Sequence, residues 1–436
     1  MHRQNTLFLG HENVILKEKK EKPYRLTPFI ITFCEDTLTS IDIQNFIEMG
    51  LRIIRFKMTH VTRNDKLKLI TMLNNAVKLC CEKYEVSNWP IAISIDIPNA
   101  CIRTGFLKDE IKEPQIYLSE QSIVELTSEV QYWNQCDEHR VFIDDPYTLK
   151  LVKPGTEVSL CFGEIVMFCT EVISPKTVMC KVERGGYLGN VRFVCVRGVI
   201  HKRPPLTKKD VELLQFAKEF ENSDGVILAR EFLAHEIVDK YKMTAIQLIV
   251  SAKCKKGGKP LYISGNILEE TLQNGLLANT DIADITNIVL QGCGFVLRAY
   301  TDASYVLTAM RILDSICKSV ESISPKDDFW RMSMEFKTPV NAAEACILSC
   351  ALLVKQSESQ VVILPTVTGR TAIQLAHIAP EAIILTLSSN PIVARKLQLY
   401  RGIIPIIYSS FNSFLFMKIN NLYGSTCLNL VFRTKL

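Results

Sequence analysis

The chain has 436 residues, of which 47% are hydrophobic and 22% are charged. This composition excludes a disordered protein, and the length predicts two or three domains. A net charge of +5 on a chain this long is too small to indicate nucleic-acid binding. No stretch approaches the roughly 20 apolar residues of a membrane-spanning helix, and the N-terminus carries no secretory signal. We therefore expect a cytoplasmic protein that binds neither nucleic acid nor membrane.

The fifteen cysteines do not indicate a disulfide-bonded protein. Several of them, including Cys293, Cys346 and Cys350, lie within apolar segments of a long chain. We predict reduced thiols that pack as small buried hydrophobic groups. The adjacent Cys80 and Cys81 lie in a helical pattern, in which neighbouring side chains point in different directions. No Cys-x-x-Cys pair or Cys/His cluster indicates a zinc site.

The first hundred residues alternate buried strands with helices. Residues 1–27 form an N-terminal arm, residues 28–34 and 51–56 are predicted strands, and residues 40–50 and 65–84 are predicted helices. The segment 91–105 starts as a third strand, breaks at Pro98 and brings Asp96 and Arg103 beyond its C-terminal end. Repeated strand–helix units of this kind predict a parallel α/β sheet or barrel, whose functional residues lie at those ends. Taken alone, these residues favour an ordinary turn cap at Asp96 and a surface charge at Arg103 over a functional site.

An all-β domain is predicted between residues 106 and 198. Short alternating runs are separated there by Pro, Gly and charged residues, and the predicted strands are 115–118, 140–143, 157–161, 165–169 and 177–182. The α/β pattern resumes at residue 199 and continues to residue 321.

The second half of the chain supplies the remaining α/β elements. Thr207 caps a predicted helix, and strands are predicted near Val226, Leu261 and Val296, which join those near Ile30, Ile53 and Ile93. A helix at residues 306–321 precedes a linker at 322–340. Residues 341–436 then predict a smaller α/β domain, with helices at 341–355 and 391–400 and strands at 361–364 and 382–386.

Six segments of the chain resemble pyruvate kinases. Residues 53–60 (IIRFKMTH) are similar to that family's VARLNFSH, and residues 91–105 (IAISIDIPNACIRTG) to its ALDTKGPEIRTG. Residues 183–198 (ERGGYLGNVRFVCVRG) resemble ENGGSLGSKKGVNLPG, and residues 223–234 (SDGVILAREFLA) resemble SDGIMVARGDLG. Residues 366–372 (TVTGRTA) and 390–405 (NPIVARKLQLYRGIIP) are near-identities. By these segments, the chain is identified as a divergent member of the pyruvate kinase family.

The resemblance implies a TIM-type (β/α) barrel with an inserted all-β lid domain and a C-terminal α/β domain. On this assignment, residues 28–105 and 199–321 form the barrel and residues 106–198 form the lid. Two βα units of the family, about 60 residues, are missing between Phe216 and Ser223. We therefore expect an incomplete, partly open barrel of about six of the eight strands. The similarity is expected to end near Phe411, so that the last C-terminal strands are missing.

The resemblance also implies a reaction and its ligands. Pyruvate kinases transfer a phosphoryl group from phosphoenolpyruvate to ADP, with Mg²⁺ and K⁺ as cofactors. Arg55 and Arg103 match the family's phosphate-binding arginines, and Arg230 is a third candidate cation. Thr59 and Asp96 match part of the K⁺ site. In that site Lys57 and Ile97 replace an Asn and a Thr; the Lys57 ammonium either replaces the bound cation or is an ordinary surface charge.

Several positions depart from the family's catalytic pattern. The aspartate that binds the divalent metal falls on Phe232, and the threonine of strand seven falls on Gly265. The catalytic lysine and the metal-binding glutamate fall in the missing block. The acidic turn of the lid falls on residues 161–163. We therefore expect little or no catalysis, unless other acids such as Asp224 or Glu231 bind the metal.

A hydroxyl-rich turn opens a helix in the C-terminal domain. It contains Thr366, Thr368, Gly369, Arg370 and Thr371, and backbone N–H groups at such a position attract phosphate. The resemblance implies that the turn binds a sugar-phosphate effector. An ordinary threonine and glycine helix cap explains the same residues equally well.

Three hypotheses about function follow. In the first, the chain is a residually active pyruvate kinase. In the second, it is a catalytically silent relative that either binds phospho-ligands or associates with an active pyruvate kinase as a regulatory subunit. A homo-oligomer or a hetero-oligomer with a pyruvate kinase is compatible with this second hypothesis. The third possibility is an incomplete or degenerate gene copy, which sequencing of the transcript would reveal. Because Phe232 and Gly265 lie outside the missing block, restoring that block would not restore the catalytic pattern.

Overall fold

The computed structural model describes residues 24–33, 38–57, 63–96, 101–108, 115–199, 225–236, 240–299, 302–323, 341–357, 359–378 and 382–408. The chain divides into two compact units. The first unit comprises Met1–Asp96, Ala217–Leu228 and Gln247–Leu436, and the second comprises Ile97–Phe216 and Ala229–Ile246.

The strands and helices alternate regularly outside the central all-β region. The strands are β1 (Phe29–Phe33), β2 (Ile53–Lys57), β3 (Ala92–Asp96), β4 (Ile102–Arg103), β5 (Gln115–Leu118), β6 (Ile123–Thr127), β7 (Arg140–Phe142), β8 (Glu157–Leu160), β9 (Ile165–Ser174), β10 (Thr177–Arg184), β11 (Gly186–Gly189), β12 (Phe193–Val196), β13 (Val226–Ala229), β14 (Leu261–Ser264), β15 (Gly294–Ala299), β16 (Val361–Pro365), β17 (Ile383–Ser388) and β18 (Ile403–Ile407). The α-helices are α1 (Ser40–Glu48), α2 (Arg63–Lys83), α3 (Pro146–Leu149), α4 (Arg230–Glu236), α5 (Met243–Lys256), α6 (Glu269–Asn274), α7 (Asn279–Leu290), α8 (Ala303–Ile323), α9 (Ala342–Ser357), α10 (Arg370–His377) and α11 (Pro391–Leu397).

The barrel strands form a six-stranded sheet in the order β13-β14-β15-β1-β2-β3. Strand β1 pairs in parallel with both β15 and β2, and β2 pairs in parallel with β3. The six strands are those predicted from the sequence, and within the described residues β3 and β13 end the sheet. The barrel-type α/β fold is therefore confirmed, as a curled part-barrel sheet.

One face of this sheet changes from apolar to polar along the strands. Near the N-terminal ends it carries a buried cluster made of Ile30, Ile53, Ala92, Tyr262 and Val296. Side chains alternate between the two faces of a strand, so the residue two positions later returns to the same face. Those next residues are Thr32, Arg55, Ser94, Ser264 and Arg298. We call these five residues the polar layer; it lies toward the carboxyl ends, where α/β barrels bind ligands.

The inserted region of the second unit consists mainly of β-strands, as the sequence predicts. Its main sheet has the order β4-β12-β8-β9-β10-β6-β7, beside a two-stranded sheet of β5 and β11. Strand β4 lies in this main sheet. Residues Ile102 and Arg103 pair with Val194 and Phe193 of β12, whereas the barrel strand β3 ends at Asp96. Arg103 thus belongs to the lid sheet.

The C-terminal α/β domain has a parallel sheet in the order β16-β17-β18. All six residues of β17 are buried, which is typical of a parallel strand with both faces covered. Leu26 packs in one apolar cluster with Ile383, Leu385 and Ile404. The last residues of the expected N-terminal arm are therefore part of the folded core.

Hydrogen bonds connect the barrel sheet to the C-terminal domain within the first unit. The Tyr262 hydroxyl donates to the Leu399 carbonyl at 2.6 Å, and Arg52 Nη1 donates to the Ile403 carbonyl at 3.0 Å. Position 294 must be glycine beside this tyrosine, since a Cβ there would lie 2.5 Å from the Tyr262 ring. The two sheets are thus held by specific polar contacts as well as by apolar packing.

The cysteines only partly follow the prediction of burial. Cys80 and Cys293 are buried, whereas Cys350 is half-buried and Cys346 is exposed, so the expectation of a buried Cys346 was wrong. The apolar run around it is a helix, and Cys346 lies on its outer side. Burial raises the pKa of Cys80 to about 12, which keeps that thiol protonated and unreactive near neutral pH.

None of the helices in the described ranges has both the length and the apolar character needed to cross a bilayer.

A buried carboxylate binds the backbone just before β1. Glu321 on α8 has a fully buried side chain and accepts hydrogen bonds from the Leu26 and Thr27 N–H groups, both at 2.8 Å. It also accepts from the Thr27 hydroxyl at 2.6 Å. Charged acceptors bound to several donors in this way contribute more than neutral ones.

Replacing this carboxylate should destabilise the protein. We expect Glu321→Gln to lower the free energy of unfolding by about 2–4 kcal/mol, because the amide removes the charge and turns an N–H₂ group toward existing donors. Urea denaturation measures the change. The control is Glu171→Gln at an exposed position of β9; equal stability losses in both variants would contradict the role given to Glu321.

Candidate functional site

Arg55 and Asp96 form an ion pair at the polar layer. Arg55 Nη2 lies 2.8 Å from Asp96 Oδ2, and their side chains are 19% and 27% exposed. The pairing of β2 with β3 places Arg55 opposite Ser94 and Lys57 opposite Asp96. Arg55 and Asp96 therefore lie on the same face of adjacent strands, with Asp96 two residues further toward the carboxyl end.

A second arginine extends this layer. Thr32 of β1 pairs with Arg55 on one side and with Arg298 on the other. Its side chain is buried, and its hydroxyl has no hydrogen-bond partner within the described residues. Arg298 Nη1 lies 3.6 Å from Glu269 Oε1, at the start of α6. The layer thus combines two guanidinium groups, each close to one carboxylate.

The sequence analysis did not identify Arg298, Ser264 or Glu269. A usable signal exists for Arg298, since it follows the inward-facing Val296 by two residues, as Arg55 follows Ile53. No comparable signal marks Glu269. It follows β14 and approaches Arg298 only because β14 and β15 are neighbours in the sheet.

This layer is suited to binding an oxyanion. Guanidinium groups present planar sets of N–H donors that match phosphate and carboxylate, often in a bidentate manner. In the described structure the Asp96 carboxylate already occupies one such donor of Arg55. An incoming anion must therefore compete with Asp96 for Arg55.

The described residues do not fit the metals that the resemblance implies. Thr59, Ile97, Asp224 and the side chain of Lys57 lie outside the described part, and the Asp96 carboxylate is bound to Arg55. Gly265 offers no side-chain ligand. In the described ranges, no group of three or more His, Cys, Asp or Glu residues is arranged to hold a metal ion. We therefore derive no step through Mg²⁺ or K⁺.

Arg103 and Arg230 belong to the second unit, apart from Arg55. The Arg103 N–H donates to Asp144 Oδ1 at 2.8 Å, and the Arg103 carbonyl accepts from the Asp144 N–H at 2.9 Å. These two hydrogen bonds to Asp144 fix the backbone at Arg103. Arg230 opens α4, and its side chain is half-buried.

Three phenylalanines form an aromatic cluster in the second unit. Phe162 stacks on Phe193 with ring centroids 4.9 Å apart, and Phe232 meets these rings edge-on at 5.2 and 5.3 Å. By the resemblance described above, Phe232 would fall on the family's metal-binding aspartate and Phe162 in the turn that corresponds to its acidic lid turn. The cluster thus puts apolar contacts where the resemblance implies charge.

The turn that carries Phe162 has an unusual backbone. Cys161 and Phe162 have φ angles of 53° and 58°, a left-handed conformation that costs about 1–3 kcal/mol per bulky residue. Aromatic pairs contribute about 0.5–1.5 kcal/mol each beyond their buried area, so three contacts offset a large part of this strain. Burial raises the pKa of the Cys161 thiol to about 11.

Two threonine hydroxyls form hydrogen bonds in the turn before α10. The Gly369 N–H donates to the Thr366 hydroxyl at 2.9 Å, and the Arg370 N–H donates to the Thr368 hydroxyl at 3.4 Å. Gly369 is the N-cap of α10 and has a φ of +79°, which favours glycine. Two N–H groups that could bind a phosphate are therefore occupied, while Arg370 and Thr371 are exposed.

Energetic coupling within the aromatic cluster is measurable. We expect a double-mutant cycle of Phe193→Leu and Phe232→Leu to give a coupling energy of about 0.5–1.5 kcal/mol, because each ring loses an edge-to-face partner. Denaturant unfolding of the four proteins measures it. The matched cycle combines Phe193→Leu with Tyr147→Leu, a residue 68% exposed in the same unit; similar coupling in both cycles would refute the cluster's contribution.

Comparison with known proteins gives consistent results for both α/β regions. The family profile described as "Pyruvate kinase, barrel domain" matches residues 24–221, and "Pyruvate kinase, alpha/beta domain" matches residues 344–425. The barrel match ends just before the motif at residues 223–234. The C-terminal match extends past Phe411, so the expectation that similarity ends there was wrong; the relationship beyond Phe411 is too divergent for recognition by near-identical motifs.

The chain is also similar to individual pyruvate kinases over most of its length. It is 22% identical to "Pyruvate kinase PKLR" of Homo sapiens over 92% of this chain and 78% of that protein. It is 24% identical to "Pyruvate kinase" of Dictyostelium discoideum, over 88% of this chain and 84% of the relative. The enzyme of that name from Thermotoga maritima is 24% identical over 88% of this chain and 89% of its own length. By both domain matches and these relatives, the chain belongs to the pyruvate kinase family.

Proposed function

We propose that this protein binds phosphoenolpyruvate or a related phosphorylated metabolite in the cytoplasm and transfers its phosphoryl group to ADP very slowly or not at all. The observation that supports this proposal most directly is the half-buried ion pair between Arg55 and Asp96, at the carboxyl ends of the barrel strands. Arg55 supplies the main phosphate contact in this proposal. Arg103 and Arg230 are the further candidate cations.

Ligand binding at Arg55 is an exchange of partners. A phosphate group carries more charge than the Asp96 carboxylate and offers several oxygens, so it forms stronger charge-assisted hydrogen bonds with the guanidinium. Asp96 holds the Arg55 side chain in position until that exchange. Its release leaves a half-buried carboxylate, which reduces the net affinity for the phospho-ligand.

Slow catalysis follows from the residues at the expected metal positions. Phosphoryl transfer depends mainly on positioning and on cations that stabilise the charge of the transferring group. Mg²⁺ and K⁺ would supply that stabilisation in an active relative. By the resemblance, Phe232 falls on a ligand of the divalent metal and cannot replace it, and Gly265 lacks the hydroxyl of the threonine that helps to deliver a proton to the enolate. Arginines alone then stabilise the transition state. A residually active kinase is the alternative, and it requires other acids, such as Asp224 or Glu231, to bind the metal.

The Thr366 turn is proposed as a secondary phosphate contact. Arg370 and Thr371 are exposed beside it, and a sugar phosphate is the ligand implied by the resemblance. Because Thr366 and Thr368 already accept backbone hydrogen bonds, we place this contact second to Arg55.

A second candidate function is association with an active pyruvate kinase as a regulatory subunit. One observation favours it: β13 ends the described barrel sheet, and Val226 and Ile227 on it are 39% and 37% exposed. An end strand with exposed apolar side chains is a surface that another chain can cover.

The kinase reaction is tested by a coupled assay of pyruvate formation. With phosphoenolpyruvate, ADP, Mg²⁺ and K⁺, we expect turnover at least about a thousandfold below that of an ordinary pyruvate kinase, because the loss of about 4 kcal/mol of transition-state stabilisation has that effect. An active pyruvate kinase assayed in parallel is the control. Turnover within tenfold of that control would reject the proposal.

Phospho-ligand binding is tested on the Arg55–Asp96 pair. We expect phosphoenolpyruvate to raise the melting temperature of the wild type and to lose this effect in Arg55→Ala. In Asp96→Asn the competing carboxylate is gone, so affinity should increase by about tenfold, the equivalent of 1.4 kcal/mol. Thermal unfolding with increasing ligand gives both values. Equal affinity in the wild type, Arg55→Ala and Asp96→Asn would place the ligand elsewhere.

Association with a kinase subunit is tested by light scattering after size exclusion. A mixture with an active pyruvate kinase should contain a mixed oligomer, which Ile227→Lys should abolish by placing a charge on the end strand. Lys181→Gln, at an exposed position of β10, is the control. Separate elution of the two wild-type proteins would exclude this second candidate.

A further inference from the structure

Two buried thiols face each other across strands β9 and β10 in the second unit. Cys169 on β9 is paired with Cys180 on β10 in the antiparallel register. The two residues are 3% and 0% exposed and belong to the same apolar cluster, so their side chains point to the same face of the sheet. Both are free cysteines in this structure. The pair therefore consists of two adjacent thiols enclosed by apolar side chains.

The backbone hydrogen bonds show which type of cross-strand pair the two cysteines form. The Cys169 N–H donates to the Thr156 carbonyl at 2.9 Å, and the Cys169 carbonyl accepts from the Gly155 N–H at 2.8 Å. Both bonds are directed away from β10. Two residues after Cys180, the Val182 N–H donates to a carbonyl just before β6 at 2.9 Å, which is directed away from β9. Because bonding directions alternate along a strand, the two cysteines form a non-hydrogen-bonded pair.

This type of pair brings two side chains close enough for a covalent bond. The Cα atoms of a non-hydrogen-bonded antiparallel pair are about 4.5 Å apart, and a disulfide spans Cα separations of about 4.4–6.8 Å. The thiols also interact directly: burial raises the pKa of both, and each thiol is among the groups that act on the other. A disulfide between Cys169 and Cys180 therefore requires no change in the register of β9 and β10.

The pair lies where the β9–β10 hairpin leaves the apolar core. The four residues that follow Cys169 on β9, residues 170–173, are all exposed. The register shifts between Met179 and Cys180, so the ladder is irregular directly beside the pair. Segments with few buried contacts open more readily than the core. Opening of this hairpin end, residues 170–179, exposes the thiols and removes the burial that keeps them protonated and unreactive.

We propose that Cys169 and Cys180 form a disulfide when a low-molecular-weight disulfide, such as oxidised glutathione, oxidises the protein. One cysteine thiolate attacks the oxidant, breaks its S–S bond and releases one reduced thiol, which leaves a mixed disulfide. The second cysteine thiolate attacks the protein sulfur of this mixed disulfide and displaces the other reduced thiol. Two protons and two electrons thus pass from the protein to the oxidant. The new bond joins β9 to β10 at the base of the hairpin end and opposes its opening, independently of the ligand site at Arg55.

Peptide mapping after incubation with oxidised glutathione tests the cross-link. Trypsin cleaves after Lys176, between the two cysteines, so once free thiols are blocked the disulfide appears as two joined peptides. Cys161 lies on the same tryptic peptide as Cys169, and fragmentation of the joined peptides assigns the sulfur. The exposed Cys346 is the internal control for the oxidant, because it should acquire a glutathione adduct. Absence of the joined peptides when Cys346 is fully modified would overturn the proposal.

Hydrogen exchange of the full chain measures the effect of the cross-link. Amides of residues 170–179 should exchange about tenfold more slowly in the oxidised than in the reduced protein, and dithiothreitol should reverse the change. Cys180→Ala should abolish both the joined peptides and the difference in exchange. Cys195→Ala, at a half-buried cysteine of the same sheet, should retain both. Equal exchange in the oxidised and reduced wild type, or persistence of the difference in Cys180→Ala, would refute the assignment.

Discussion

The alternation of side chains along parallel strands is the constraint on which the barrel region depends. On one face, Ile30, Ile53 and Val296 form an apolar layer, and two residues later on the same face lie Thr32, Arg55 and Arg298. Since neighbouring strands are parallel and in register, equivalent residues meet at the same height. Packing at one end of the strands therefore places charge at the other. A one-residue slip of β2 or β15 would turn its arginine to the opposite face of the sheet and remove its apolar residue from this layer.

In the proposed function, the family scaffold positions an ion pair for anion binding. An arginine paired with a carboxylate is well suited to exchange one anion for another. Phosphoryl transfer needs concentrated positive charge at the moving group, and the aromatic cluster of Phe162, Phe193 and Phe232 is apolar. The ring contacts offset part of the strain in the turn at Phe162. These features are the physical basis on which we propose binding with slow or no catalysis.

The first unit is held together by contacts between its sheets. Tyr262 donates a hydrogen bond across to Leu399, Glu321 binds the backbone before β1, and Arg401 lies 3.8 Å from the same Glu321.

The sequence by itself determined the order of the elements and the family. Periodic apolar residues predicted the barrel strands, the all-β region and the C-terminal α/β domain, because these patterns reflect which face of each element is buried. It also identified Arg55, Asp96 and Phe232 as informative positions. Only the tertiary structure showed that Arg55 and Asp96 bind each other, that Arg103 joins the lid sheet, that Phe232 packs on Phe162 and Phe193, and that Arg298 lies beside Thr32 in the polar layer. These features join residues far apart in the chain, and local sequence patterns carry no information about which distant side chains meet.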